Sequence, residues 1–207
     1  MSLELRNQSL DSLLHALGDR TPVPGGGAAA GITASIGIAA ARMVLAYSVD
    51  RPELSEWATE HQATMSTLDQ ARASALSLAD QDAEAFKALS ALWSLPKDDP
   101  ARAPHWNDAV EAAIAAPMRT IELAKDILNA LLPLPDQTNP MLSSDLAVAA
   151  ILLRAAALAA AWNVRINVPH LESDDQRDKT LQMLDDALNE CHAAAASIEK
   201  ASAAASI

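Results

Sequence analysis

Aromatic residues are nearly absent from the chain, 3% of 207 residues, with one Phe, one Tyr and four Trp. That leaves little of the side-chain stock of a sheet, where aromatic and β-branched residues are enriched. The apolar share, 50% of the residues, is carried largely by alanine, the strongest helix former. The single cysteine, Cys191, excludes an intrachain disulfide and a thiolate-built zinc site. Basic residues are few as well, 15 against 27 acidic, for a net charge of −12. Nucleic acid and anionic membranes require a dense basic face. Neither is expected as a partner, and an anionic ligand has to be met by local cations. No basic segment leads into an apolar run at the start of the sequence, so the cytoplasm is the expected compartment.

The length suits one domain, spanning residues 1–207. Apolar periodicity predicts a short helix over Ser9–Leu17, with Leu10, Leu13, Leu14 and Leu17 on one side, and a second from the glycines at 25–27 to about Val49. A third runs from about Glu53 to Leu95 without internal Pro or Gly. The segment "PKDDPARAP" (96–104) is a loop. In the helix after it, Pro117 should kink or split the run. A second proline-rich turn, "LPLPDQTNPM" (132–141), precedes a helix from about Ser143 to Asn167, and a last helix starts near Ser173. Two stretches, 26–49 and 146–164, are apolar enough to suggest membrane spans. Both are interrupted by arginine and rich in small residues, which points to buried helices. Short connections make the fold class all-α, an up-and-down antiparallel bundle of about six helices.

Against this background "RTPVPGGGAAA" (20–30) is unusual. It bends the chain and then opens a helix that is nearly bare of side chains, leaving free N–H groups and the positive end of the helix dipole. The stripe of Gly31, Ser35 and Arg42 calls for another backbone or a flat ligand. Asp82 shares a helical face with Phe86, where burial would raise a carboxyl's pKa. Asp80 and Glu84 point elsewhere and are expected in water. Asp145 and Asn163 are eighteen residues apart, five whole turns, so they share a side but lie about 27 Å apart along the axis. Asn163 and Asn167 form a second polar cluster, readable as a site or as helix termination. The five histidines show no metal-ligand spacing. No metal is expected, and most histidines are read as surface residues.

Four segments in order, "TPVPGGG" (21–27), "DQDAEAFKALSALWSLPK" (80–97), "AAPMRTIELA" (115–124) and "SDLAVAAILLRAAALAAAWNVRIN" (144–167), resemble the formiminotransferase-cyclodeaminase family. The resemblance implies a helical homodimer acting on tetrahydrofolate. The reaction is either cyclodeamination of 5-formiminotetrahydrofolate to 5,10-methenyltetrahydrofolate, or hydrolysis of the methenyl bridge. It implies Asp82 and Asp145 as catalytic residues, drawn from one subunit or two, and Pro24, Gly25, Gly26, Gly27, Asn163 and Asn167 as substrate-binding residues. No tightly bound cofactor is implied. Arg20, Arg42, Arg154 and Lys97 are the cations available for the anionic folate tail. Departures from the family pattern at Ala28, Thr138 and Pro140 touch the expected ligand rim, so a folate-binding or subunit-assembly module without catalysis is the alternative.

Overall fold

The computed structural model describes residues 4–205, in which the regular structure is entirely helical. Six α-helices follow one another: α1 (Leu10–Gly18), α2 (Gly26–Ala46), α3 (Ala58–Trp93), α4 (Trp106–Leu131), α5 (Ser143–Asn167) and α6 (Asp174–Ala205). Local chemistry sets their starts. The Ser9 hydroxyl caps α1 by accepting the Ser12 N–H at 3.1 Å. Pro52 seeds a 3-10 turn over Pro52–Trp57 before α3 begins, five residues later than periodicity suggested. At the entry to α5 the Asn139 side chain accepts the Met141 N–H at 3.1 Å. The Asn139 N–H donates to Ser48 Oγ at 3.0 Å, tying this loop to the end of α2.

From α2 onward, consecutive helices run antiparallel. Gly27 meets Asp82, and Gly31 meets Ala75 and Ala79, so α2 and α3 oppose each other. Arg119 donates to Gln81, and Trp106 faces Trp93, which orients α4 against α3. Asn167 reaches Ala113, and Arg165 and Arg154 pair with Asp185 and Glu199, so α5 opposes both α4 and α6. Helix α5 is the axis of the bundle, packed by α2, α4 and α6. Its alanines at 149, 150, 156, 157, 160 and 161 are fully buried, and small side chains let three neighbours approach it closely.

The bare face of α2 serves this packing. A Cβ on Gly31 would lie 2.9 Å from the Ala75 carbonyl oxygen, and one on Gly37 would lie 3.1 Å from that of Ala149. Beyond its first turn, then, neighbouring helices occupy the face that was open to a flat ligand in the sequence reading. The two apolar stretches, Gly26–Ala46 and Pro140–His170, are long enough to cross a membrane, yet 56% and 44% of their most apolar windows are buried in the bundle. Helix α1 is a satellite. Leu13 is buried in a small cluster with Leu5, Ala28, Ala79 and Ala83, and Leu17 packs against it, while Leu10 and Leu14 stay exposed.

Pro117 does not split its helix, because α4 runs through it unbroken. Of the five histidines, His61 is wholly buried, with neither ring nitrogen hydrogen-bonded.

Gly31→Ala should destabilise the protein by about 1–3 kcal/mol, because the atoms a methyl would meet include backbone that cannot swing away. Gly18→Ala, with open space around it, should change stability by less than about 0.5 kcal/mol. Urea unfolding of the two variants checks this, and equal effects would remove the close-packing role of Gly31.

Candidate active site

The first turn of α2 is where the glycines matter chemically. A Cβ on Gly27 would fall 2.0 Å from Asp82 Oδ1 and 2.2 Å from its Cγ. The carboxyl of Asp82 thus occupies the space where any other residue at 27 would carry its side chain. Gly25, extended at φ −128° and ψ −160°, leads into the turn, and the Ala28 N–H donates to the Asp82 carboxylate. Burial pushes the Asp82 carboxyl up to about 6, against the lowering effect of that N–H donor. A group poised there exchanges protons near neutral pH.

The other wall comes from α5. Asn163 faces Gly26, whose added Cβ would lie 3.6 Å from both Asn163 amide atoms. Asn163 donates to the Ala159 carbonyl at 3.1 Å. Asn167 is buried and donates through Nδ2 twice, to the Asn163 carbonyl at 2.9 Å and to the Ala113 carbonyl at 3.3 Å. The second bond explains the intact α4. Ala113 is four residues before Pro117, so it is the carbonyl that a proline nitrogen leaves without its helical donor. Asn167 supplies that donor, and in doing so anchors the end of α5 to α4.

These groups meet in a notch lined by Val23, Gly25, Asp82, Phe86, Asn163 and Asn167, with Ala113 and Ile166. Of the eight residues singled out from sequence, Gly25, Gly26, Gly27, Asp82, Asn163 and Asn167 come together here. Pro24, buried and joined to Val23 by a cis peptide bond, shapes the approach. Asp145 is not in this group. It lies in the first turn of α5, at the end of the bundle where α2 finishes. The notch holds only about 50 Å³, far below the several hundred Å³ of a usual ligand site.

Asp80, expected in water, instead accepts the Leu5 N–H at 2.8 Å and pairs with Arg6, tying the N-terminal segment to α3. Among the proposed tail-binding cations, Arg42 is paired with Asp69 at 3.1 Å and Arg154 with Glu199 at 3.0 Å. Cys191 is buried, and desolvation, with the nearby Glu122 carboxylate second, pushes its thiol up to about 11. It is therefore no ready nucleophile. Among the described residues no three His, Cys, Asp or Glu side chains gather as a metal site would require.

A carboxyl that can hold or release a proton near neutral pH, beside the Asn163 amide and the start of a helix, suits general acid–base chemistry. Residues 9–186 match the family model described as formiminotransferase-cyclodeaminase. The formimidoyltransferase-cyclodeaminase of Mus musculus is 31% identical over 196 residues, covering 93% of this chain and 36% of the relative. The chain thus spans about a third of the length of such vertebrate relatives. The methenyltetrahydrofolate cyclohydrolase of Methylorubrum extorquens is 25% identical over 191 residues, covering 90% of this chain and 92% of that one. The crystal structure of formiminotetrahydrofolate cyclodeaminase from Thermotoga maritima superposes with a TM-score of 0.90, at 24% identity, over 97% of this chain and 98% of that one. It has the same fold.

Two outcomes are expected. Asn167→Ala should cost about 1–3 kcal/mol, the penalty for an orphaned buried carbonyl. In a Pro117→Ala background, where residue 117 regains its N–H, that cost should shrink; a double-mutant cycle with no coupling would refute the assignment. Asp82→Asn should be more stable than the parent at pH 8. The ordinary carboxyl value of 3.8 is raised to about 6 in the fold, so the folded state disfavours the charge and the penalty is fully present only above about 6. The gain should fade as pH drops from 6 towards 4, which thermal melts across that range would show.

Proposed function

The chain belongs to the formiminotransferase-cyclodeaminase family, and from that premise we propose that it closes 5-formiminotetrahydrofolate to 5,10-methenyltetrahydrofolate with release of ammonia. The observation that carries this reading is the raised Asp82 carboxyl held between the first turn of α2 and Asn163. In the reaction the folate N10 attacks the formimino carbon and loses its proton. The former imino nitrogen gains two protons, one matching the proton lost by N10 and one delivered by an acid, and leaves as ammonia, and the methenyl cation remains. Asp82 acts as the acid for the departing nitrogen, because its carboxyl retains a proton nearest to neutral pH. A second carboxylate, Asp145, faces the cation. Pro24, Gly25 and Gly26 carry the pteridine, with Asn163 and Asn167 at its edge, while Gly27, which the sequence reading also assigned to the substrate, is covered by Asp82. The ring closure as written uses proton transfers alone.

A second copy of the chain completes the site in this reading. The notch is too small for a pteridine, and beside it α5 exposes Trp162 at 71% and Ile166 at 66%, continuous with Leu158, Ile151 and Val148 further along the helix. So large an apolar stripe calls for a partner. Two such stripes paired antiparallel about their middle would exchange the places of Val148 and Ile166. Asp145 of the partner subunit then comes level with the Asn167 end of α5. It lies on the same margin as Asn163, since the two are five whole turns apart and a two-fold axis in the interface preserves that side.

Hydrolysis of the methenyl bridge is the second reading. The similarity to a cyclohydrolase of nearly the same length favours it, and a water held by Asn163 and a carboxylate would replace the folate amine. A folate-binding or assembly role without turnover is the remaining outcome of the test.

Purified protein with 5-formiminotetrahydrofolate should produce the methenyl chromophore and one equivalent of ammonia above the uncatalysed rate. Subsequent loss of the chromophore would add hydrolysis, and no excess over the control would remove the cyclodeaminase reading. Activity should decline as pH rises above about 6, and Asp82→Asn should abolish that limb and lower kcat by at least about 100-fold. Asp82→Asn and Asp145→Asn chains should each be inactive, yet a co-refolded mixture should recover about a quarter of wild-type sites, as expected when each site draws one carboxyl from each subunit. No recovery would place both carboxyls in one subunit's site or remove Asp145 from it.

A further inference from the structure

We propose that a second cavity, between the end of α3 and the start of α4, is the subsite for the negatively charged arylamide tail of the folate, an inference that rests on the substrate class proposed above. The cavity, about 440 Å³ in volume, is built from Trp93, Lys97, Arg102, Trp106, His170 and Glu172. Three rings form its wall edge to face. Trp93 lies 5.5 Å from Trp106 and 4.6 Å from His170 between centroids, at interplanar angles of 80° and 82°. Trp93 is nevertheless 42% exposed, so part of the ring is open to stack on a benzoyl group.

Arg102 points to an anion. It is only 9% exposed, and its guanidinium donates to the Leu95 carbonyl at 2.6 Å and lies 4.1 Å over the Trp106 ring. It takes part in no ion pair among the described residues. A buried cation without a carboxylate is costly. It is also out of character for a chain of net charge −12 in which Arg42, Arg154 and Arg165 each have an acidic partner. Lys97 adds a second positive charge against the single carboxylate of Glu172. The carrier loop has Pro96, Pro100 and Pro104, and the Asp99 carbonyl accepts the Arg102 and Ala103 N–H groups at 2.9 and 3.0 Å. Two cations are therefore held on a stiff loop, which lowers the ordering cost of binding.

Its place in the fold joins this cavity to the notch. Trp93 follows Phe86 by seven residues on α3, Trp106 precedes Ala113 by seven on α4, and His170 follows Asn167 by three. Helices α3 and α4, and the 3-10 turn Val168–His170 that follows α5, carry three sides of the notch on into the second cavity, roughly 10 Å further on. A ligand whose bicyclic head lies over Asp82 would direct its benzoyl group along Phe86 towards Trp93, and its carboxylates towards Lys97 and Arg102. The sequence left four cations unranked for this role. Arg42 and Arg154 are already paired, whereas Lys97 lines this cavity.

The test uses p-aminobenzoyl-glutamate, the tail without its pteridine, titrated into the intact protein and followed by tryptophan fluorescence and calorimetry. Wild type should bind it, and Lys97→Glu, at an exposed position, should weaken binding at least tenfold. With the folate substrate, the loss should fall on KM, at least tenfold, rather than on kcat. Trp93→Leu should weaken the fragment in the same direction and guards against a purely long-range charge effect. If wild type turns over folate while both variants keep fragment affinity and KM within twofold, the subsite is overturned and the reaction stands. If wild type shows no folate turnover but binds the fragment in a Lys97-dependent way, the reaction reading fails and the anionic subsite stands. Absence of fragment binding to wild type at millimolar concentration, with KM insensitive to Lys97, overturns the proposal.

Discussion

The site depends on one missing atom. Because residue 27 has no Cβ, the Asp82 carboxyl can enter the first turn of α2, and a Cβ there would lie 2.0 Å from its oxygen. That entry removes the carboxyl from water and raises its pKa, while the Ala28 N–H keeps its charged form accessible. It also fixes the register of α2 on α3, which continues through Gly31 against Ala75 and Ala79. Helix packing and proton chemistry here are two results of the same close approach. A side chain at 27 would disturb both.

The fold was legible in the sequence because helix vocabulary, proline-marked loops and apolar periodicity all agreed. The glycines announced a close approach, but not what approaches. Spacing cannot distinguish a ligand from an aspartate 55 positions away, and the answer was the chain's own Asp82 at Gly27 and neighbouring helices at Gly31 and Gly37. Asp80 was misread because the rule that i and i+2 diverge on a helix is correct but incomplete. The N-terminal segment folds back to cover the other face. Most histidines are at the surface as expected, and His61 is the buried one, because burial is decided by packing, which a lone histidine does not advertise.

Pro117 and Asn167 teach a finer lesson. Each was visible alone, the first as a helix breaker and the second as a helix terminator or site residue. The physics linking them is a carbonyl four residues before a proline, which needs a donor from somewhere. The sequence states the need, and only tertiary structure identifies Asn167 as the supplier. Asn167 thereby joins α4 to the α5 end that presents Asn163. In the same way the isolated "PKDDPARAP" loop read as a connector, since nothing local indicated that its arginine is buried against Trp106.

The alanine-lined centre of α5 also bears on how such a chain can change over evolutionary time. One inserted residue within α5 would rotate everything beyond it by about 100° and shift it about 1.5 Å, taking both asparagines away from Gly26 and Ala113. Substitution there is nearly as constrained, since six fully buried alanines have no room to grow. Variation in length is tolerable chiefly where the connections carry no register, so diversification in a scaffold like this is channelled into its loops while the central rod stays a fixed ruler.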